Sequence, residues 1–246
     1  MEEKLAELGL FAALGLGMVL GFKHSLDPDH VVAVSTIVSE YRNPMRSFWV
    51  GISWGLGHTT SLLLIGIVII ALRLTIPDRL ALLLEFSVGL MLVGLGLQVI
   101  YNFRKKGVHQ HLHSHEKSAH DHLHSHVQDL SHAPKHHLIS GVGKPFLRKK
   151  SYFVGTVHGV AGSAALTLIV LASIESAIAG IVYIVLFGLG SVLSMGIMTV
   201  FISLPFVFSG NRLPNLTLSI QLGVGLLSVL FGGLLIYQIG FVDGLF

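Results

Sequence analysis

The chain contains no cysteine, and only 12% of its 246 residues are charged, against roughly 25% in an average soluble protein. The first absence excludes disulfides, thiolate metal sites, iron–sulfur clusters and thiol redox chemistry. The second nearly excludes a water-soluble domain. No G-x-x-x-x-G-K-[ST] loop is present, so ATP is not a direct energy source. No H-E-x-x-H occurs, and no glutamate sits where it could act as a base beside paired histidines, so the chain does not read as an intramembrane metalloenzyme. Acidic residues are also few: 13, against 15 histidines. The N-terminus MEEKLAE is acidic and no small-residue cleavage site follows, which argues against a cleaved signal peptide.

What the chain has instead is apolar residues (52%) and 28 glycines, both suited to packed membrane helices. Runs long enough to cross about 30 Å of hydrocarbon fall near residues 48–72, 80–101, 152–173, 177–208 and 216–240. Ahead of them an apolar stretch from Leu5 to Val38 is interrupted by KHSLDPDH, as one broken helix or as a short helix and a second span. The expected fold is an all-α integral membrane protein of six transmembrane helices, with seven as the alternative.

Residues 102–151 differ in kind, being polar, basic and holding eleven histidines: His109, His111, His113, His115, His120, His122, His124, His126, His132, His136 and His137. With six spans and this loop inside, twelve basic residues face the cytoplasm and three face out (Lys4, Arg73, Arg79), which is the positive-inside pattern of a plasma (inner) membrane protein with a cytoplasmic loop. HLHSH occurs twice, and alternating imidazoles on an extended chain can chelate one ion between them. The tract therefore points to divalent transition metals without naming one. It has no interleaved aromatics and lies between spans, which counts against nucleic acid.

The loop divides two stretches that align. WGLGHTTSL (Trp54 to Leu62) matches FGLGSVLSM (Phe187 to Met195), VGLMLVGLGLQVIY (from Val88) matches VGLLSVLFGGLLIY (from Val224), and GFKHSLDPDHVVAV pairs His24 with His158, at offsets of 133 to 136. The expected domains are a first repeat at 1–101, the loop at 102–151 and a second repeat at 152–246. An odd number of spans per repeat inverts the halves, an arrangement common in alternating-access transporters.

Four histidines lie outside the loop, in or beside apolar spans where an ionisable group is costly: His24, His30, His58 and His158. With Asp27 and Asp29 they form the candidate metal set. On an unbroken helix His24, Asp27 and His30 share an arc of about 120° while Asp29 points away. Pro28 would bend that helix and free carbonyl oxygens. Nitrogen and oxygen donors of this kind suit Ni²⁺, Co²⁺ or Zn²⁺. The alternative is a helix end at the membrane surface, with Asp27 as a cap. Glycines flank His58 and His158, allowing close helix approach, and Thr59 and Thr60 are placed to orient the His58 ring. Either histidine could instead be a packing residue. Lys23 could neutralise a nearby aspartate or reach to the interface.

The H-x-x-x-x-D-H pattern of His24 to His30 resembles the signature of the nickel/cobalt transporter family, and GLGHTT (Gly55 to Thr60) is similar to that family's second histidine motif. The resemblance implies that His24, Asp29, His30 and His58 line the metal pathway and that Ni²⁺ or Co²⁺ is the transported substrate, with no prosthetic group. The later acidic motifs of the long members are absent. The shorter pattern is closer to the urease-associated branch, and the exporters' Cys-Pro motif has no counterpart here. The expected function is a secondary permease for Ni²⁺ or Co²⁺ in the lipid bilayer, with uptake favoured and a cytoplasmic metal acceptor as a candidate partner. Efflux, zinc transport and a membrane-tethered metal store are the alternatives.

Overall fold

The computed structural model describes residues 2–72, 76–105, 114–115, 118–119, 147–161, 176–209 and 214–246. Among them are helices α1 (Glu2–His24), α2 (Pro28–Val38), α3 (Pro44–Leu72), α4 (Asp78–Lys105), α5 (Lys149–Ala161), α6 (Ala177–Ser209) and α7 (Pro214–Tyr237), the last continuing into a π-helical turn at Gln238–Val242. Within the loop, Ser114–His115 and Ser118–Ala119 form a two-residue antiparallel pair. The other loop histidines lie outside the described residues.

Four helices, α3, α4, α6 and α7 with its π turn, are long and apolar enough to cross a membrane. They coincide with four of the expected spans, and the chain is an all-α, multi-pass membrane protein. The expected span at 152–173 is described as far as Ala161, and its remainder lies outside the described residues. The outer surface has the chemistry of a lipid-facing wall. Along α4, Leu83, Leu90 and Leu97 recur every seven residues and are exposed, while Val88, Leu92, Leu95 and Val99 are buried. In water such a leucine stripe would favour aggregation; against acyl chains it is matched.

The N-terminal stretch is two helices, not one bent one. A proline ring collides with the carbonyl four residues back, which for Pro28 is that of His24, the last residue of α1. The residue before a proline is driven out of the helical region, and Asp27 is extended at φ −60°, ψ 145°. Pro28 then opens α2, where its missing N–H is no loss. At 1.5 Å per residue α2 is about 16 Å long, half a bilayer core, and packs among α3, α4, α6 and α7.

The helices meet along glycine faces. A Cβ on Gly155 of α5 would fall 2.9 Å from the Trp54 carbonyl carbon on α3, and one on Gly57 of α3 would fall 2.9 Å from the Thr156 nitrogen on α5. The same contacts recur between α1 and α6, where a Cβ on Gly21 would lie 2.7 Å from the Phe187 carbonyl carbon and one on Gly190 would lie 3.0 Å from that of Met18. Contact positions rise together from Trp54–Gly155 to His58–Gly159 and from Gly17–Tyr183 to Gly21–Phe187, so α3 runs parallel to α5 and α1 parallel to α6. Gly55 against Val192 and Gly66 against Ile184 set α3 antiparallel to α6, and Gly96 against Val229 with Gly89 against Ile236 does the same for α4 and α7.

The turn between α2 and α3 lies on the same side as the ends of the loop. Asn102 near the end of α4 donates to Glu40 at 2.9 Å, the Arg148 amide donates to Ser53 Oγ at 2.9 Å, and the Arg148 guanidinium lies 5.4 Å from the Tyr41 ring centre. Gln221 of α7 donates from Nε2 to the Ser39 carbonyl at 2.6 Å, satisfying a carbonyl at the end of α2. Gln221→Leu leaves that carbonyl without its donor, and a loss of about 1 kcal/mol is expected. A melting temperature lowered by a few degrees, with metal binding retained, would show it.

Candidate metal centre

His58 lies at the midpoint of α3, so it is placed far from either helix end. His24 closes α1, His30 lies in the first turn of α2, and His158 is carried by α5. The α3–α5 glycine contact brings the His58 and His158 ring centres to 6.1 Å. The break at residues 25–27 folds His24 and His30 together at 4.7 Å, with His30 4.1 Å from His158 and 5.2 Å from His58. His24 is 8% exposed and the other three are fully buried. The metal-ligating atoms of His24, His30 and His58 lie within 4.8 Å of one another, and so do those of Asp29, His30 and His158.

Both aspartates hold imidazoles. His24 Nδ1 meets Asp27 Oδ2 at 2.7 Å, His30 Nδ1 meets Asp29 Oδ1 at 3.0 Å, and His158 Nε2 meets Asp29 Oδ2 at 2.9 Å. A carboxylate only accepts, so each of these nitrogens carries the N–H and the opposite one carries a lone pair. Those opposite atoms, Nε2 of His24, Nε2 of His30 and Nδ1 of His158, are buried without a hydrogen-bond partner. A carboxylate on the far nitrogen is the usual support of a metal-ligating histidine, fixing its tautomer and raising its basicity. A buried acceptor without a donor is destabilising by about 1–3 kcal/mol, and a cation would relieve it. Imidazoles with one or two carboxylates suit a borderline transition-metal dication and disfavour Mg²⁺ and Ca²⁺, which prefer all-oxygen shells.

Two expectations need correction, and the two roles left open for Lys23 are narrowed to one. Asp29 does not point away from the cluster: because α2 starts afresh at Pro28, its carboxylate turns to His30 and His158. Thr59 and Thr60 do not orient the His58 ring, since Thr59 donates to the Gly188 carbonyl at 3.3 Å and Thr60 to that of Leu56 at 2.7 Å; one and two residues on, they face other sides of the helix. Lys23 is exposed, and the aspartates are held by imidazoles. Asp27 occupies the N-cap position of α2 as the alternative reading had it, yet makes no side-chain cap bond and is half-exposed beside His24.

Sequence reasoning missed the serines that pin the end of α1. Ser191 of α6 donates to the Gly21 carbonyl at 2.9 Å, and Ser194 meets Ser25 hydroxyl to hydroxyl. The internal alignment held the signal, since it pairs Ser191 with His58 and Ser194 with Ser61.

No known family profile matches the chain, and no solved structure matches it. Among curated proteins it is 38% identical over 242 residues to the urease accessory protein UreH of Bacillus sp. (strain TB-90), an alignment covering 98% of this chain and 97% of that protein. It is also 27% and 26% identical to the chloroplast proteins FOR GROWTH AND FERTILITY 2 and 1 of Arabidopsis thaliana, covering 95% and 94% of this chain but 61% and 63% of theirs. Similarity at that level, running nearly end to end in both proteins, places this membrane protein in the UreH family of urease accessory proteins.

Proposed function

We propose that the chain is a secondary permease for Ni²⁺, with Co²⁺ as the second substrate, taking the ion into the cytoplasm across the plasma membrane. The observation that carries this is the convergence of His24, His30 and His58 in the middle of the helical bundle, with carboxylates on the far nitrogens of His24 and His30. A cluster of ionisable side chains within apolar spans is functional by default. Kinship with a urease accessory protein fits a nickel-handling role. Asp27, Asp29 and His158 complete the metal set, the aspartates supplying the negative charge that draws a dication out of water. Membrane potential favours its entry by about 2.3 kcal/mol per charge per 100 mV.

The transport reading includes two inverted halves, residues 1–101 and 152–246. The twin contacts support it. Gly155 on the Trp54 carbonyl and Gly21 on the Phe187 carbonyl are the same contact moved by the offset of the internal alignment, as are Gly57 on Tyr152 and Gly190 on Met18. In this reading α1 with α2 makes one broken crossing, α5 with the residues after it makes another, and the bundle has six. The loop is cytoplasmic and its histidines, His109 to His137, collect ions at the inner face for delivery to an acceptor.

⁶³Ni uptake into proteoliposomes, with and without a proton gradient, tests the function. Saturable uptake inhibited by Co²⁺ is expected. Zn²⁺ carried while Ni²⁺ is ignored, or Ni²⁺ moved only outward in cells, would replace it with the zinc or the efflux reading. Deleting residues 108–137 should slow uptake without abolishing it, because the permeation site lies elsewhere. Complete loss in a protein that still inserts would favour a metal store built on the loop.

A further inference from the structure

Two triads meet at one ring. His24, His30 and His58 form the first and Asp29, His30 and His158 the second, with His30 common to both. Their chemistry differs: three imidazoles in one, two imidazoles and a carboxylate in the other. Their origin differs too, since the first is built from α1, α2 and α3, whereas the second draws His158 from α5, beyond the loop. Of the two nitrogens of His30, Nδ1 faces Asp29 at 3.0 Å, and Nε2 is buried with no hydrogen-bond partner. A neutral imidazole offers one nitrogen lone pair, so His30 serves one ion at a time and the triads are filled in turn.

We propose that the two triads are successive stations for a single Ni²⁺ or Co²⁺ ion, passed from one nitrogen of His30 to the other. This rests on the transport reading above. At the first station the ion lies on Nε2 of His30 while Nδ1–H stays on Asp29. At the second it lies on Nδ1, beside Asp29 and His158: the Nδ1 proton leaves through Asp29 to water, water returns a proton to the Nε2 that the ion has left, and His158 likewise shifts its proton from Nε2 to Nδ1 so that Nε2 can ligate. The ring is neutral in both states. Asp29 changes from hydrogen-bond acceptor to ligand, bringing a full negative charge to the ion as it leaves an all-imidazole shell. His158 takes part only at the second station, where it is the first ligand from the far side of the loop.

The test separates binding from flux, using full-length protein in nanodiscs for Ni²⁺ titration and X-ray absorption, and in proteoliposomes for ⁶³Ni flux. His158→Ala should bind Ni²⁺ within about threefold of wild type, with three imidazoles in its shell, while flux falls at least about tenfold, the lower end of what losing a supporting residue costs a metal site. His158→Gln keeps an amide donor for Asp29 but offers Ni²⁺ a poor ligand, so its flux should stay low with binding intact. Loss of binding in His158→Gln that elutes as a monodisperse species would mean one undivided centre and overturn the relay. Flux unchanged in His158→Ala, or restored in His158→Gln, would reduce His158 to a prop for Asp29 and also overturn it. A wild-type protein that neither binds nor carries Ni²⁺ would instead remove the transport reading itself.

Discussion

Replacing His30 with alanine should lower Ni²⁺ affinity by at least about a hundredfold, or roughly 3 kcal/mol, and bring uptake to background. No other single substitution in the centre is expected to do as much. His30 belongs to both triads and is fully buried. Its ring lies within 5.2 Å, centre to centre, of the other three imidazoles. Its removal takes one donor from each coordination shell and leaves Asp29 with one imidazole partner in place of two. Asp27→Asn is the graded comparison. That carboxylate is half-exposed and touches the ion's shell only through His24, so its loss should cost about tenfold, as for other residues that orient a ligand. Equilibrium Ni²⁺ titration of the purified variants checks both. If His30→Ala bound Ni²⁺ as tightly as Asp27→Asn, the centre would be wrongly placed.

The membrane class was legible because it rests on composition and run length, which no tertiary detail can reverse. Four spans were located to within a few residues for the same reason. The four histidines were legible as a set because an imidazole in an apolar run has few reasons to be there. Their partners were not. An unbroken helical wheel sent Asp29 to the wrong side, because the wheel assumes one axis and Pro28 supplies two. The link from Asp29 to His158 joins residues 129 apart, and no local pattern encodes it. It follows from glycine contacts that seat α5 on α3, visible in the sequence only as spacing. Ser191 and Ser194 looked like small residues in a greasy helix. Their role is to hold the last turn of α1 against α6, at the Gly21 carbonyl and the Ser25 hydroxyl, a contact between distant residues that no local pattern encodes.

The glycine contacts provide the second large effect. Gly155→Ala and Gly21→Ala should each destabilise the protein by about 3 kcal/mol or more, at the upper end of overpacking penalties, which lowers the melting temperature by roughly 10 °C. At Gly155 the new methyl meets the backbone of Trp54, with the carbonyl carbon at 2.9 Å and Cα at 3.0 Å. At Gly21 it meets the backbone of Phe187, at 2.7 and 3.0 Å. A side-chain tip could rotate aside, but a helix backbone can yield only by moving the whole helix. Moving α5 off α3 would also pull His158 from His58, so metal flux should fall with stability. Gly94→Ala and Gly223→Ala are the controls. Neither new methyl meets anything within 4 Å, and alanine is favoured over glycine in a helix by about 1 kcal/mol, so these variants should melt at or slightly above the wild-type temperature. Thermal unfolding followed by size-exclusion chromatography in detergent reads all four. The paired outcome carries the further weight: if the halves are repeats, Gly21 and Gly155 occupy one position twice and must fail together. One variant tolerated while its twin unfolds would break the equivalence of α1 with α5, and with it the inverted-repeat reading.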